Sequence, residues 1–171
     1  MELRISTKMG RDAGQSVVEL ALMLPFLLVL ALGVYDVSRA IRAKNAIVNM
    51  SREGANLALR TARSSISAQE IMNSLAATAQ PLAMDQNGMM YVTEVNLTGG
   101  VRISNQEAWR GNQSGPCSQI NQSNVAGVVA TVPVAEGTSV YVFEVIYTYQ
   151  SLFLTSFTTQ LHSTTAFSPY Q

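Results

Sequence analysis

The chain has 171 residues, room for one modest domain and an added element. Its 11 basic and 11 acidic residues cancel, and a charged fraction of 13%, about half of the ~25% usual in soluble domains, argues against a surface built to hold nucleic acid. The 51 serines, threonines, asparagines and glutamines make the polar surface one of amides and hydroxyls, which suits an exported protein.

Residues 17–35 form an apolar run whose only charge is Glu19. As a helix rising ~1.5 Å per residue the run spans roughly 28 Å, close to the hydrocarbon thickness of a bilayer. It is a membrane helix or an export signal. Arg4, Lys8 and Arg11 precede it and Arg39, Arg42, Lys44 and Arg52 follow it, so basic residues do not settle its orientation. Gly14 stands just ahead of the run, with Glu19 five positions beyond the glycine. On one reading the carboxylate serves only the first helical turn, where the dipole is worth about 0.3–1 kcal/mol, and the spacing is chance. On the other, a peptidase at the cytoplasmic membrane face cuts after Gly14, removes residues 1–14 and gives Gln15 a new α-amino group. Gln15 and Glu19 then share one helix face at i and i+4. An acid within a bilayer is costly without a partner, and the Gln15 amine of a neighbouring subunit would supply one. A third reading takes residues 1–33 as a secretory signal cut at Ala31-Leu32-Gly33, leaving a soluble protein that starts at Val34.

The pattern after the run continues one helix to residue 63. At about 100° per residue, Val37, Ala40, Ile41, Ile47, Val48, Ser51, Ala55, Ala58, Leu59 and Ala62 fall on one side, while Arg39, Arg42, Asn45, Asn49, Arg52, Glu53, Asn56, Arg60 and Arg63 fall mostly on the other. Lys44 and Leu57 do not fit. Pro25 removes one backbone hydrogen bond near the start of the apolar helix and predicts a kink. The chain changes character at Ser64-Ser65, and Ser67-Ala68-Gln69-Glu70 reads as a capping box opening a second helix, which Pro81 stops.

Five runs rich in β-branched and aromatic residues follow, at 91–97, 101–104, 128–134, 140–149 and 161–167, divided by Gly99-Gly100 and Glu136-Gly137. They predict an antiparallel sheet and an α+β head. In 140–149, Tyr141, Phe143, Val145, Tyr147 and Tyr149 alternate with Val142, Glu144, Ile146 and Thr148, so an aromatic face is expected against the helix. Pro133 suits an edge strand or a bulge. Residues 105–124 are expected to be a surface loop. Within it Trp109 and Arg110 are candidate contacts for a partner subunit or surface, since both residue types are enriched in binding hot spots; otherwise Trp109 covers the sheet. Residues 151–157, Ser-Leu-Phe-Leu-Thr-Ser-Phe, form an apolar patch between strands that is core if buried and an interface if exposed.

Catalytic chemistry finds little support. Cys117 and His162 are each alone of their kind, so an intrachain disulfide and a cysteine-based metal cluster are ruled out. Cys117 can pair between chains or stay inert. His162 has no acid near it in sequence and reads as a half-buried strand residue. No paired carboxylates, phosphate loop or metal-ligand spacing occurs. No enzymatic activity, cofactor or small-molecule substrate is expected.

The stretch Gly14-Gln15-Ser16-Val17-Val18-Glu19-Leu20-Ala21-Leu22-Met23-Leu24-Pro25, with Asn45, Asn49 and Ser51-Arg52-Glu53-Gly54-Ala55 downstream, resembles TadE-like proteins, the minor pilins or pseudopilins of tight adherence (Flp type) pilus systems. The pentapeptide is the most distinctive mark, being similar to the Ala-Arg-Glu-Gly-Ala common in that family. The resemblance is clear for residues 14–60. It implies a leader at 1–14, a prepilin peptidase cut between Gly14 and Gln15, and Glu19 as the acid that registers subunits. It also implies a pilin-like fold: a long N-terminal helix over 15–63, transmembrane at 17–35, and an α+β head over 64–171 outside the cytoplasm, closed by a Val- and Tyr-rich pair of strands. The partners it implies are the prepilin peptidase, other pilin subunits, tight adherence assembly proteins and the membrane. The new terminus is Gln where other type IV pilins commonly have Phe. Against a filament subunit stand two alternatives, an uncut membrane-anchored binding module and the secreted domain cut near Gly33.

Overall fold

The computed structural model describes residues 9–61, 66–112, 115–134, 137–153 and 157–168. Residues 1–8 of the expected leader, Arg63, Ser64-Ser65, Glu136 and the middle of the 151–157 patch lie outside them. The architecture is α+β: a long N-terminal helix, short helices and a four-stranded antiparallel sheet.

Helix α1 spans Met9–Thr61 and carries Pro25 inside it. By its contacts the chain divides into two units, Met1–Arg39 and Ala40–Gln171. In the first, the apolar side chains of the 17–35 run face outward: Leu20, Phe26 and Val29 are all more than 60% exposed. α1 is the one described helix long and apolar enough to cross a membrane, and none of its most apolar window is buried.

In the second unit α1 turns one stripe inward: Ala43, Ile47, Met50, Ser51, Gly54, Ala55 and Ala58 are buried. Ile47, Ser51, Ala55 and Ala58 are where the periodicity placed them. Ile41 is instead 56% exposed, and Ala43, Met50 and Gly54 take the centre of the stripe. The reason is one close contact between helix and sheet. Gly54 has no side chain, and the ring of Phe143 lies against that gap, so the helix seats on the sheet along the Gly54 line. A Cβ there would stand 2.6 Å from three Phe143 ring carbons. Gly54→Val is therefore expected to destabilise the head by about 1–3 kcal/mol through overpacking. The loss is read as a lower urea midpoint of Trp109 fluorescence in the detergent-solubilised chain; an unchanged midpoint would show that Phe143 has room to move.

Helix α2, Ala68–Thr78, opens on the predicted capping box. The Glu70 N–H donates to Ser67 Oγ at 3.2 Å, and the Ser67 N–H donates to Glu70 Oε2 at 2.9 Å. The helix buries Ile71, Met72 and Leu75 and ends before Pro81. A short helix α3, Met84–Asn87, leads into strand β1, Gly88–Asn96. β2 is Arg102–Ala108, β3 Ser139–Gln150 and β4 Thr158–Phe167, in the order β2-β1-β3-β4 with every neighbour antiparallel.

Two expectations need correction. The run at 128–134 is not a strand: Val125–Val129 form helix α4, and the chain turns at 130–132, so Pro133 lies outside the sheet. Asn121 directs this outcome, its Oδ1 accepting the N–H groups of Ser123 and Asn124 at 3.0 and 3.2 Å and starting a helical turn. Val125 and Val129, four apart, then bury against Val95, Val140 and Val142. The loop expected from 105 instead begins as strand, because β2 runs to Ala108 with polar, exposed Asn105 and Gln106. An edge strand pairs on one side only and needs no apolar alternation.

The sheet thus has two covered faces. The aromatic face of β3 meets the helices as expected, with Phe143, Val145, Tyr147 and Tyr149 in one core with α1 and α2. The opposite face is covered at one end by α4 and Ile120.

Candidate functional site

The first candidate lies in the helix before the apolar run. Gly14 is exposed, and a Cβ built on it would meet nothing within 4 Å. Glycine in a helix interior costs about 1 kcal/mol relative to alanine, and no contact among the described residues asks for it at 14. Gln15, the next residue, donates from Nε2 to Glu19 Oε1 at 3.0 Å, the i,i+4 contact that the spacing predicts. Both side chains are exposed, leaving the carboxylate accessible to a second donor.

The Ser51-Arg52-Glu53-Gly54-Ala55 stretch divides by face. Ser51 is buried, and its Oγ lies 2.8 Å from Ser163 Oγ and 2.9 Å from Thr165 Oγ1, tying α1 to β4. Gly54 seats Phe143 and Ala55 is buried, so positions 51, 54 and 55 dock the helix on the sheet. Arg52 and Glu53 point to solvent. Nearby, Lys44, a misfit on the helical wheel, donates from Nζ to the backbone oxygen of His162.

Trp109 and Arg110 follow β2 directly, in a 3-10 turn over Trp109–Asn112. The indole is 3% exposed and donates from Nε1 to Asn73 Oδ1 on α2 at 2.9 Å, so Trp109 serves the inside of the fold. Arg110 is exposed, and its guanidinium carbon lies 4.3 Å from the Trp109 ring centre. Its backbone is left-handed at φ 53°, held by the N–H donating to Gln69 Oε1 at 3.3 Å, while Nη1 donates to the Asp85 carbonyl at 3.2 Å. The pair lines a shallow cleft with Asp85, Gln86 and Met89.

Sequence reading passed over Glu144. It is fully buried on the sheet face away from α1, and it accepts from Ser118 Oγ at 2.5 Å and from the Gln119 N–H at 2.9 Å. His162 Nε2 stands 2.7 Å from its Oε1, across the β3–β4 ladder. The carboxylate thereby fastens the 115–120 segment to the sheet, helped by Gln106 Nε2, which donates to Thr93 Oγ1 at 2.9 Å and Ser118 Oγ at 3.1 Å. Serine, histidine and glutamate are hydrolase residue types, but here hydroxyl and imidazole both turn to the carboxylate. The imidazole Nε2 also lies 3.0 Å from Thr164 Oγ1 on its own strand, while the Ser118 hydroxyl bonds the carboxylate rather than the imidazole. Tyr91 adds to the fastening, its hydroxyl donating to the Pro116 carbonyl at 2.9 Å. Burial raises its phenol above the ordinary pKa, with Cys117 and Glu144 adding to the effect. Tyr141 is raised in the same direction by burial and by Glu94. Among the described residues no cluster of His, Cys, Asp and Glu could hold a metal ion.

No curated protein and no solved structure matches the chain. The model of the TadE-like protein family matches residues 14–56, from Gly14 through the docking stretch at 51–55, so this N-terminal segment is similar to that family.

Proposed function

We propose that the chain is a minor pilin or pseudopilin of a tight adherence pilus, processed by a prepilin peptidase between Gly14 and Gln15. The observation that carries this is the family match starting at Gly14 and running through an outward-facing apolar helix. A glycine that no packing requires, one turn before an acid at the head of that helix, fits a residue kept for a peptidase. In this reading residues 17–35 cross the inner membrane once, and the α+β head lies outside the cytoplasm. Glu19 registers the subunit against the Gln15 amine of a neighbour. Its partners are the peptidase, other pilin subunits and the assembly proteins, and its work is to build or initiate a filament used in surface attachment. Arg110, with Trp109 behind it, is the head's candidate contact for such a partner.

Gly14→Val in host cells is expected to leave a larger, unprocessed precursor in the membrane and remove the chain from sheared filaments, whereas Gly14→Ala is processed, at most more slowly. Immunoblots of membrane and filament fractions read both. Normal processing of Gly14→Val would refute the cut at this site.

A further inference from the structure

The β3–β4 hairpin ends in a group of exposed apolar side chains: Leu152 is 55% exposed, Phe153 44% and Phe157 56%. Residues 145–168, the closed end of the hairpin and the strand lengths next to it, contain no Asp, Glu, Lys or Arg.

The contacts of α1 show which end of the head this tip occupies. Lys44 reaches the His162 carbonyl, Ser51 meets Ser163 and Thr165, and Gly54 faces Phe143, which pairs with Thr165. Moving from residue 54 back to 44 along α1 therefore moves back along β4 toward its start at Thr158. The closed end of the hairpin lies toward Ala40, where the chain enters the head. From His162 back to Phe157 is five residues, ~16 Å at strand rise. From Lys44 back to Ala40 is four residues, ~6 Å at helical rise. The tip thus reaches the entry end of the head. Val37, an exposed apolar residue continuing the 17–35 run, is three residues before Ala40, at most ~11 Å of chain away.

We propose that Leu152, Phe153 and Phe157 dip into the interfacial layer of the outer leaflet, so that the head is held to the membrane at a second point besides its helix. The inference rests on reading residues 17–35 as a membrane span. A lipid surface suits the tip because its apolar side chains gain by leaving water and no charge opposes their entry. Such a contact would hold the head down before assembly and be given up when the subunit leaves the bilayer.

The test uses the full chain in vesicles of phosphatidylcholine and phosphatidylglycerol, with the exposed native thiol removed by Cys117→Ser. Spin labels are attached through Phe153→Cys, Phe157→Cys, Leu27→Cys in the span, and Ile66→Cys, an exposed apolar position beyond the far end of α1. Trp109 fluorescence checks that each variant is folded. Labels at 153 and 157 are expected to lose collisions with a water-soluble nickel complex while keeping collisions with oxygen; the label at 27 lies deeper and that at 66 stays in water. Labels at 153 and 157 as open to nickel as that at 66, with 27 protected, would overturn the hairpin contact and leave the span standing. Loss of both collisions at 153 and 157 would overturn it in favour of contact with a second copy. A label at 27 open to nickel would overturn the membrane reading and the hairpin contact together.

Discussion

Host cells carrying Glu19→Ala are expected to cut the chain after Gly14 as before and to lose its assembly into pili. The physical reason is that the substitution makes the helix a better membrane helix: an acid at a helix centre costs about 2.5–3.5 kcal/mol on insertion scales, less near the interface, and alanine relieves that cost. Lost assembly then cannot be laid to poor insertion. The Glu19 carboxylate, held in its own helix by the Gln15 amide at 3.0 Å, keeps a face open to a neighbour's amine. Glu19→Gln separates charge from hydrogen bonding, since it keeps an acceptor and removes the negative charge, and it is expected to fail like alanine. Electron microscopy of piliation, with an immunoblot for processing, reads both variants; normal pili in Glu19→Ala cells would contradict the pairing.

The largest effect on stability is expected from Glu144→Ala. It removes a fully buried carboxylate and takes a hydrogen bond from three groups at once: the Gln119 N–H, the Ser118 hydroxyl, which keeps the Ile120 carbonyl, and His162, which keeps Thr164 Oγ1. Leaving a buried donor unsatisfied costs about 1–3 kcal/mol, and the two further hydrogen bonds lost add to that. Trp109, the sole tryptophan and itself buried, makes its fluorescence a reporter of the head, and its urea midpoint should fall accordingly. Glu144→Gln, which keeps the shape and one acceptor, should lose less. Equal stability of Glu144→Ala and the parent would mean that the 115–120 segment is held by other contacts, Gln106 and Tyr91 among them.

Local signals were legible wherever they are local in physics. The Ser67 and Glu70 capping box, the helical continuation past residue 35 and the alternation of Tyr141, Phe143, Val145, Tyr147 and Tyr149 all depend on neighbours within a few positions, and each took its expected form. The 128–134 run failed because a short valine-rich segment carries no period that separates strand from helix, and Asn121 decided it from outside the run. The inward face of α1 was read a little off its true line because Gly54, having no hydrophobicity of its own, does not mark a contact on a helical wheel. Its role appears only with Phe143 89 positions away. His162 was singled out as a histidine without an acid, yet Glu144 lies across the ladder from it. Pairing Glu144 with Thr164 places them diagonally, but that register becomes visible only once the strands are paired. The segment proposed to be processed is the reverse case. Gly14 and Glu19 are plain in the sequence, and in the structure no described atom lies within 4 Å of a Cβ built at Gly14.

The central claim is that proteolysis creates the amine that Glu19 awaits, and the intact mass of the chain purified from its host's membranes tests it most directly. Mass is preferable to stepwise degradation, because an N-terminal glutamine readily cyclises and blocks the latter. A mass beginning at Gln15 with a free or methylated amine is the predicted result. A chain still beginning at Met1, one beginning at Val34, or a Gln15 terminus cyclised to the uncharged lactam would contradict it.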